Sequence, residues 1–102
     1  MDNLAQQITK VFPLDSKSLQ EIQSEEDLFL VLSEYIQELI DTDFSKLVNT
    51  LYRIDVSEIK IKKALNLSDI KNANKVIAQL IIEREKQKIK TRAAYKNRKP
   101  DN

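Results

Sequence analysis

The sequence predicts an all-α fold, a small bundle of four to five helices with a long, partly protruding basic C-terminal helix, and three observations predict it. Apolar residues recur at spacings of three and four through most of the chain, the period of a helix face. Residues able to cap a helix start, Ser24, Asp43 and Asp55 among them, stand directly before the apolar runs. The last segment, Ser68 to about Lys96, carries an apolar face in its first half and dense positive charge in its second, and the rest of the chain reads as organised around it. At 102 residues, 41% hydrophobic and 32% charged, the chain can fill one core but not two.

The elements follow in order. Asn3 to Phe12 forms a short helix with Leu4, Ile8 and Val11 or Phe12 inward, halted by Pro13, because the residue before a proline avoids the α region. Leu14 to Ser24 is a connection holding at most one short helix, with Ser16 or Ser18 as cap and Leu19 and Ile22 as its apolar residues. Ser24-Glu25-Glu26-Asp27 then offers a capping hydroxyl, an acidic first turn that complements the helix dipole and a carboxylate at the third position. The helix it starts runs to about Asp41. Leu28, Val31, Leu32, Tyr35, Ile36 and Leu39 make its main stripe, while Phe29, Leu30 and Ile40 widen the apolar surface, so it is expected to be the central helix of the body. Leu28 to Leu32 alone could be a buried strand, but the cap before it and the periodic run after it favour helix.

Thr42 and Asp43 form a tight junction to a helix from Phe44 to about Ile54, with Phe44, Leu47, Val48, Leu51 and Tyr52 as its buried face. Asp55-Val56-Ser57-Glu58 resembles a capping box, with Ile54 placed to staple against Ile59. The helix from Val56 to about Leu65 buries Ile59, Leu65 and either Ala64 or Ile61. In a chain without glycine, Asn66 is the candidate for a left-handed helix end, followed by Ser68 as the next cap. The last helix places Ile70, Ala73, Val76, Ile77, Leu80 and Ile81 on one face, and from Arg84 onward that pattern stops. Some 28 helical residues would span about 42 Å, against a diameter of about 30 Å for a compact body of roughly 80 residues. The expected division is a helical body over residues 1–82 and a basic extension over residues 83–102, frayed at its end. A chain ending at Ile82 is accordingly expected to keep a folded body.

Function is constrained mostly by absences. Without Cys there is no disulfide, thiolate nucleophile or sulfur-based zinc site, which suits a reducing cytoplasm; without His the commonest general base and metal ligand is missing. Without Gly, phosphate-cradling glycine loops are excluded. These residues argue against an enzyme and imply no cofactor. The N-terminus lacks an uninterrupted apolar run of the secretory kind, and no run is long enough to span a bilayer, so a cytoplasmic, soluble protein without membrane attachment is expected. Glu34, Glu38 and Asp41 share a helix face, yet helical carboxylate metal sites pair such residues with histidines, so they read as solvated. Tyr35 reads as a core residue whose hydroxyl reaches a polar partner.

Charge is unevenly distributed along the chain. Residues 1–59 hold twelve Asp and Glu against four Lys and Arg; residues 60–102 hold four against thirteen. Either the acidic half faces the basic half, within one chain or across a dimer, or the basic part meets an acidic partner. Arg84, Lys88, Arg92 and Lys96 repeat every four residues, and Lys86 and Lys90 broaden the stripe. Two kinds of partner fit it. The first is a protein, or a second copy, docked by a non-enzymatic interaction module through this helix; the second is nucleic acid, held at its phosphates without sequence reading. Tyr95 alone offers little for base stacking.

Leu51-Tyr52-Arg53-Ile54-Asp55-Val56-Ser57-Glu58, together with Ile77-Ala78-Gln79-Leu80-Ile81-Ile82-Glu83-Arg84-Glu85-Lys86-Gln87-Lys88, resembles a group of short, uncharacterised all-helical bacterial proteins with no known activity. The two stretches cover about a fifth of the chain. The resemblance implies a cytoplasmic helical domain and supplies no activity or site residues.

Overall fold

The computed structural model describes residues 2–14, 16–67 and 72–97. Within them the chain forms six helices and no strand: α1 (Asp2–Thr9), α2 (Ser16–Glu21), α3 (Glu25–Thr42), α4 (Phe44–Ile54), α5 (Glu58–Leu67) and α6 (Ala73–Asn97). The all-α class is as the sequence predicts. The count exceeds the expected four to five because the Leu14–Ser24 connection holds a complete short helix, α2. The shape is elongated, 53 × 33 × 21 Å, with a radius of gyration of 14.8 Å, where a compact chain of this length would have about 13 Å.

Local chemistry sets most of the boundaries. After Thr9 the chain tightens into a turn, with the amides of Val11 and Phe12 both donating to the Ile8 carbonyl. This turn seats Phe12 in the core, its ring edge-on to Tyr35 at 5.7 Å and 84°. Ser24 caps α3 by accepting from the Asp27 amide at 3.1 Å, and the Asp27 carboxylate accepts in return from the Gln23 amide at 3.0 Å. Two orphan donors are thereby satisfied. Asp43 serves two helices: its amide donates to the Leu39 carbonyl at the end of α3, and its carboxylate accepts from the Lys46 amide at the start of α4.

The left-handed residue is Asp55, not Asn66, which lies within α5. At φ 65° and ψ 45° Asp55 ends α4 in a Schellman arrangement: its own amide donates to the Tyr52 carbonyl, and the Val56 amide to that of Leu51. Aspartate accepts this conformation better than most residues do. Since Asp55 closes one helix, Ser57 opens the next, its hydroxyl accepting from the Lys60 amide. The expected box on Asp55 and the Ile54–Ile59 staple are therefore absent; Ile54 is buried and Ile59 is 73% exposed. Ile61 packs against the core instead. Ile70 and Ser68, and the side chains of Ala64 and Leu65, lie outside the described residues.

The central helix is α6, not α3. It packs against α1, α3, α4 and α5, whereas α3 packs mainly on α6 and α4. The buried line on α6 runs Ala73, Ile77, Ala78, Ile81, Ile82 and Glu85, with Val76 and Leu80 half-buried beside it. Packing continues past Ile82, since Ile89 rests against the core and Arg92 donates from Nη2 to Gln7 Oε1 of α1 at 2.9 Å. Only from Lys90 to Tyr95 is the helix exposed on all sides. Facing α6, α3 buries Leu28, Leu32, Ile36 and Leu39 together with Ser33. The Ser33 hydroxyl bonds back to the Phe29 carbonyl, and the Ser33 carbonyl accepts from Asn74 Nδ2 at 3.1 Å, which ties the start of α6 to the middle of α3.

A basic helix engaged within the chain and an apolar cavity between α4, α5 and α6

Most of the stripe that the sequence singles out is occupied by contacts inside the chain. Arg84 donates from Nε to the Asp55 carbonyl at 3.1 Å and from Nη2 to its carboxylate at 3.3 Å, with a third bond from Nη1 to Gln87. It thus clamps the left-handed residue that ends α4. Lys86 pairs with Glu25 at 2.9 Å, at the first turn of α3, and Lys88 with Glu85 at 3.4 Å. Arg92 reaches Gln7. Lys90 is exposed and has no ion pair among the described residues; the side chain of Lys96 lies outside them. Arg84, Lys86 and Arg92 thus tie α6 to neighbouring elements, whereas Lys88 pairs within α6 itself. Open surface pairs of this kind contribute about 0–1 kcal/mol each.

Glu85 is a residue that the sequence reading did not single out. Its side chain is 1% exposed, Oε1 meets Lys88, and Oε2 has no hydrogen-bond partner among the described residues. The signal was present, because Glu85 stands four residues from both Ile81 and Ile89 on the buried line of α6. A buried carboxylate with a single cation is costly to desolvate, and an apolar residue of similar volume often serves the fold better. Glu85→Leu is expected to raise stability by about 1–2 kcal/mol, because Lys88 is partly exposed and can extend to water. Lys88→Met should instead lower it by about 3 kcal/mol, leaving the carboxylate unpaired. Urea unfolding midpoints check both signs; destabilisation by Glu85→Leu would mean that the carboxylate holds something the fold needs.

The exposed carboxylates Glu34, Glu38 and Asp41 hold no metal arrangement, and no group of three or more potential ligands occurs among the described residues. Tyr35 is half-buried against Phe12, and its hydroxyl finds no polar partner among the described residues. No helix among the described residues is long and apolar enough to cross a membrane.

The apolar opening in the surface lies elsewhere. Leu47, Val48 and Leu51 of α4, Val56, Ile61 of α5 and Ile77 of α6 wall a cavity of about 150 Å³, with Phe44, Tyr52, Glu58 and Lys62 at its edge. The sequence reading placed Phe44 and Tyr52 in the core, but they are 51% and 63% exposed. The inward face of α4 is Leu47, Thr50, Leu51 and Ile54, rotated towards Ile54 because the Schellman turn fixes Ile54 and Val56 inside. Thr50 can be buried since its hydroxyl donates to the Lys46 carbonyl. The Tyr52 hydroxyl donates to Glu58 Oε1 at 3.2 Å, bridging α4 and α5 across the mouth. That bond and the Glu58 charge, with a smaller contribution from burial, raise the Tyr52 pKa above its ordinary 10.0. Comparison with known proteins finds no matching family, no matching curated protein and no matching solved structure.

Proposed function

We propose that this chain is a non-enzymatic protein-binding module of the cytoplasm whose docking face is the α4–α5 surface around the apolar cavity. The carrying observation is the cavity itself, which opens between two large, half-exposed aromatic residues, Phe44 and Tyr52. An aliphatic anchor entering an apolar pocket under a rim of aromatic and charged side chains is the usual chemistry of helix-in-groove recognition. The absence of His, Cys and Gly from the sequence supports a binding role over catalysis. The α6 stripe is less available for docking, because Arg84, Lys86, Lys88 and Arg92 are engaged with Asp55, Glu25, Glu85 and Gln7.

Site-specific photocrosslinking tests this reading. A benzophenone side chain at position 52 should yield discrete protein adducts in lysate that resist nuclease and disappear when Phe44 is changed to Ser. The same group at position 90, on the exposed end of α6, should yield few. Adducts confined to position 90 and lost on nuclease treatment would overturn the reading in favour of nucleic acid bound along α6.

A further inference from the structure

Between α1 and the exposed end of α6 lies a cleft whose described lining includes no acid. Gln6 and Gln7 of α1, with Lys10 just beyond it, face Ile89, Thr91, Arg92 and Tyr95 of α6 across about 670 Å³, a volume in the range of small-ligand sites. A smaller opening adjoins it, sharing Gln7, Thr91 and Arg92 and adding Arg84 and Lys88, again without an acid among the described lining residues. The charges of these two openings are not equally spent. Arg84 is paired with Asp55, and Lys88 with Glu85. Arg92 is held only by the neutral Gln7, through one of its N–H groups, and Lys10 has no ion pair among the described residues. The carboxylates of α6 lie elsewhere: Glu83 lines a separate cleft with Asp55 and Lys60, and Glu85 is buried against Lys88. Arg92 and Lys10 therefore keep their charge on one cleft, and Arg92 is also held in place.

We propose that this cleft binds a small phosphorylated molecule, with the phosphate on Arg92 and Lys10 and the apolar or aromatic body along Ile89 and Tyr95. The site is distinct from the α4–α5 docking face and stands without it. A phosphate monoester carries about −1.5 to −2 charges at neutral pH, which the two uncompensated cations match. The Arg92 guanidinium keeps N–H groups beyond the one given to Gln7, in the fork geometry that suits phosphate oxygens. Thr91 and the Gln6 and Gln7 amides supply neutral donors in the same lining. Tyr95 is 76% exposed and Ile89 half-buried, which leaves an aromatic and an aliphatic surface for the rest of the ligand. A nucleic-acid strand fits less well. It needs cations spaced along successive phosphates and several stacking rings, whereas Lys10 and Arg92 converge on one cleft and Tyr95 is the ring in its described lining.

Titration of the isotope-labelled full chain with phenyl phosphate, followed by NMR, tests the proposal. The amides of Gln7, Lys10, Thr91, Arg92 and Tyr95 should shift along one saturating curve with a midpoint of about 1 mM, the weak end of the affinity scale. Lys60, Lys62 and Lys63, exposed cations on α5, are the internal control and should not follow that curve. Arg92→Gln and Lys10→Gln, both at exposed positions and checked for folding by circular dichroism, should each weaken binding about tenfold, the worth of one charge-assisted hydrogen bond. Benzoate, with the same ring and a single charge, should bind weaker than phenyl phosphate by a similar factor. Tyr95→Ser should reduce the advantage of phenyl phosphate over inorganic phosphate. Equal shifts at the α5 lysines, or unchanged binding in both folded charge variants, would overturn the proposal. A single strand of about ten nucleotides should show a salt dependence of no more than about two phosphate contacts; a steeper dependence would assign this surface to nucleic acid and overturn the small-molecule reading.

Discussion

A chain ending at Ile82 is expected to lose about 5 kcal/mol and with it most of its cooperative fold. Natural domains of this length are stable by only about 5–15 kcal/mol. The removed part of α6 includes Ile89, which packs on the core, and Arg84, which holds the left-handed Asp55. It also forms the wall against which α1 rests: Gln7 meets Arg92, and Gln6, Gln7 and Lys10 line a cleft with Ile89, Ala93 and Tyr95. Its loss removes these contacts along α1 together with the burial of Ile89 against the core. The ten residues of α6 left behind would be shorter than an isolated helix can sustain in water. Circular dichroism and urea titration of the truncated chain provide the measurement. A cooperative transition with a urea midpoint close to that of the full chain would show that residues 1–82 are self-sufficient, as their apolar pattern suggests.

The second large effect contrasts two isoleucines. Ile81 is fully buried in the middle of α6, and Ile81→Ala should cost about 3–4 kcal/mol, the lost transfer energy plus that of a cavity in a core reached from several sides. For a chain of this size that is a fall in Tm of roughly 12–20 °C. Ile59, which the sequence pattern places in the core, is 73% exposed, and Ile59→Ser should change stability by no more than about 0.5 kcal/mol. Equal losses at the two positions would show that α5 is turned by half a face from the orientation described.

Local signals were legible where one residue's chemistry suffices. Ser24 and Asp43 cap α3 and α4 because their side-chain oxygens lie within three residues of the amides they satisfy. The stripe of α3 was legible because Leu28, Leu32, Ile36 and Leu39 leave little freedom in the choice of face. For α4 and α5 the same rule misassigned residues. Phe44, Leu47, Val48, Leu51 and Tyr52 and the observed set Leu47, Thr50, Leu51 and Ile54 are two phases of one helical period. The choice between them depends on where Asp55 turns the chain, which a neighbouring element settles.

The candidate sites divide along the same line. The positive charge of residues 84–96 was plain in the sequence, but its engagement by Asp55, Glu25 and Gln7 was not, because those partners lie 29, 61 and 85 positions away along the chain. The cavity between α4, α5 and α6 was equally hidden, since its walls come from three helices and exist only once they pack. By itself, then, the sequence determined an all-α chain, the caps of α3 and α4, a long last helix and the opposed charges of its two halves, all consequences of interactions spanning a few residues. Only the tertiary structure decided that α6 is the central helix, that Glu85 is buried, that the basic stripe is largely engaged at home and that Phe44 and Tyr52 face outward. Burial and pairing are properties of what lies opposite a side chain, and what lies opposite is set by the packing of helices distant in sequence.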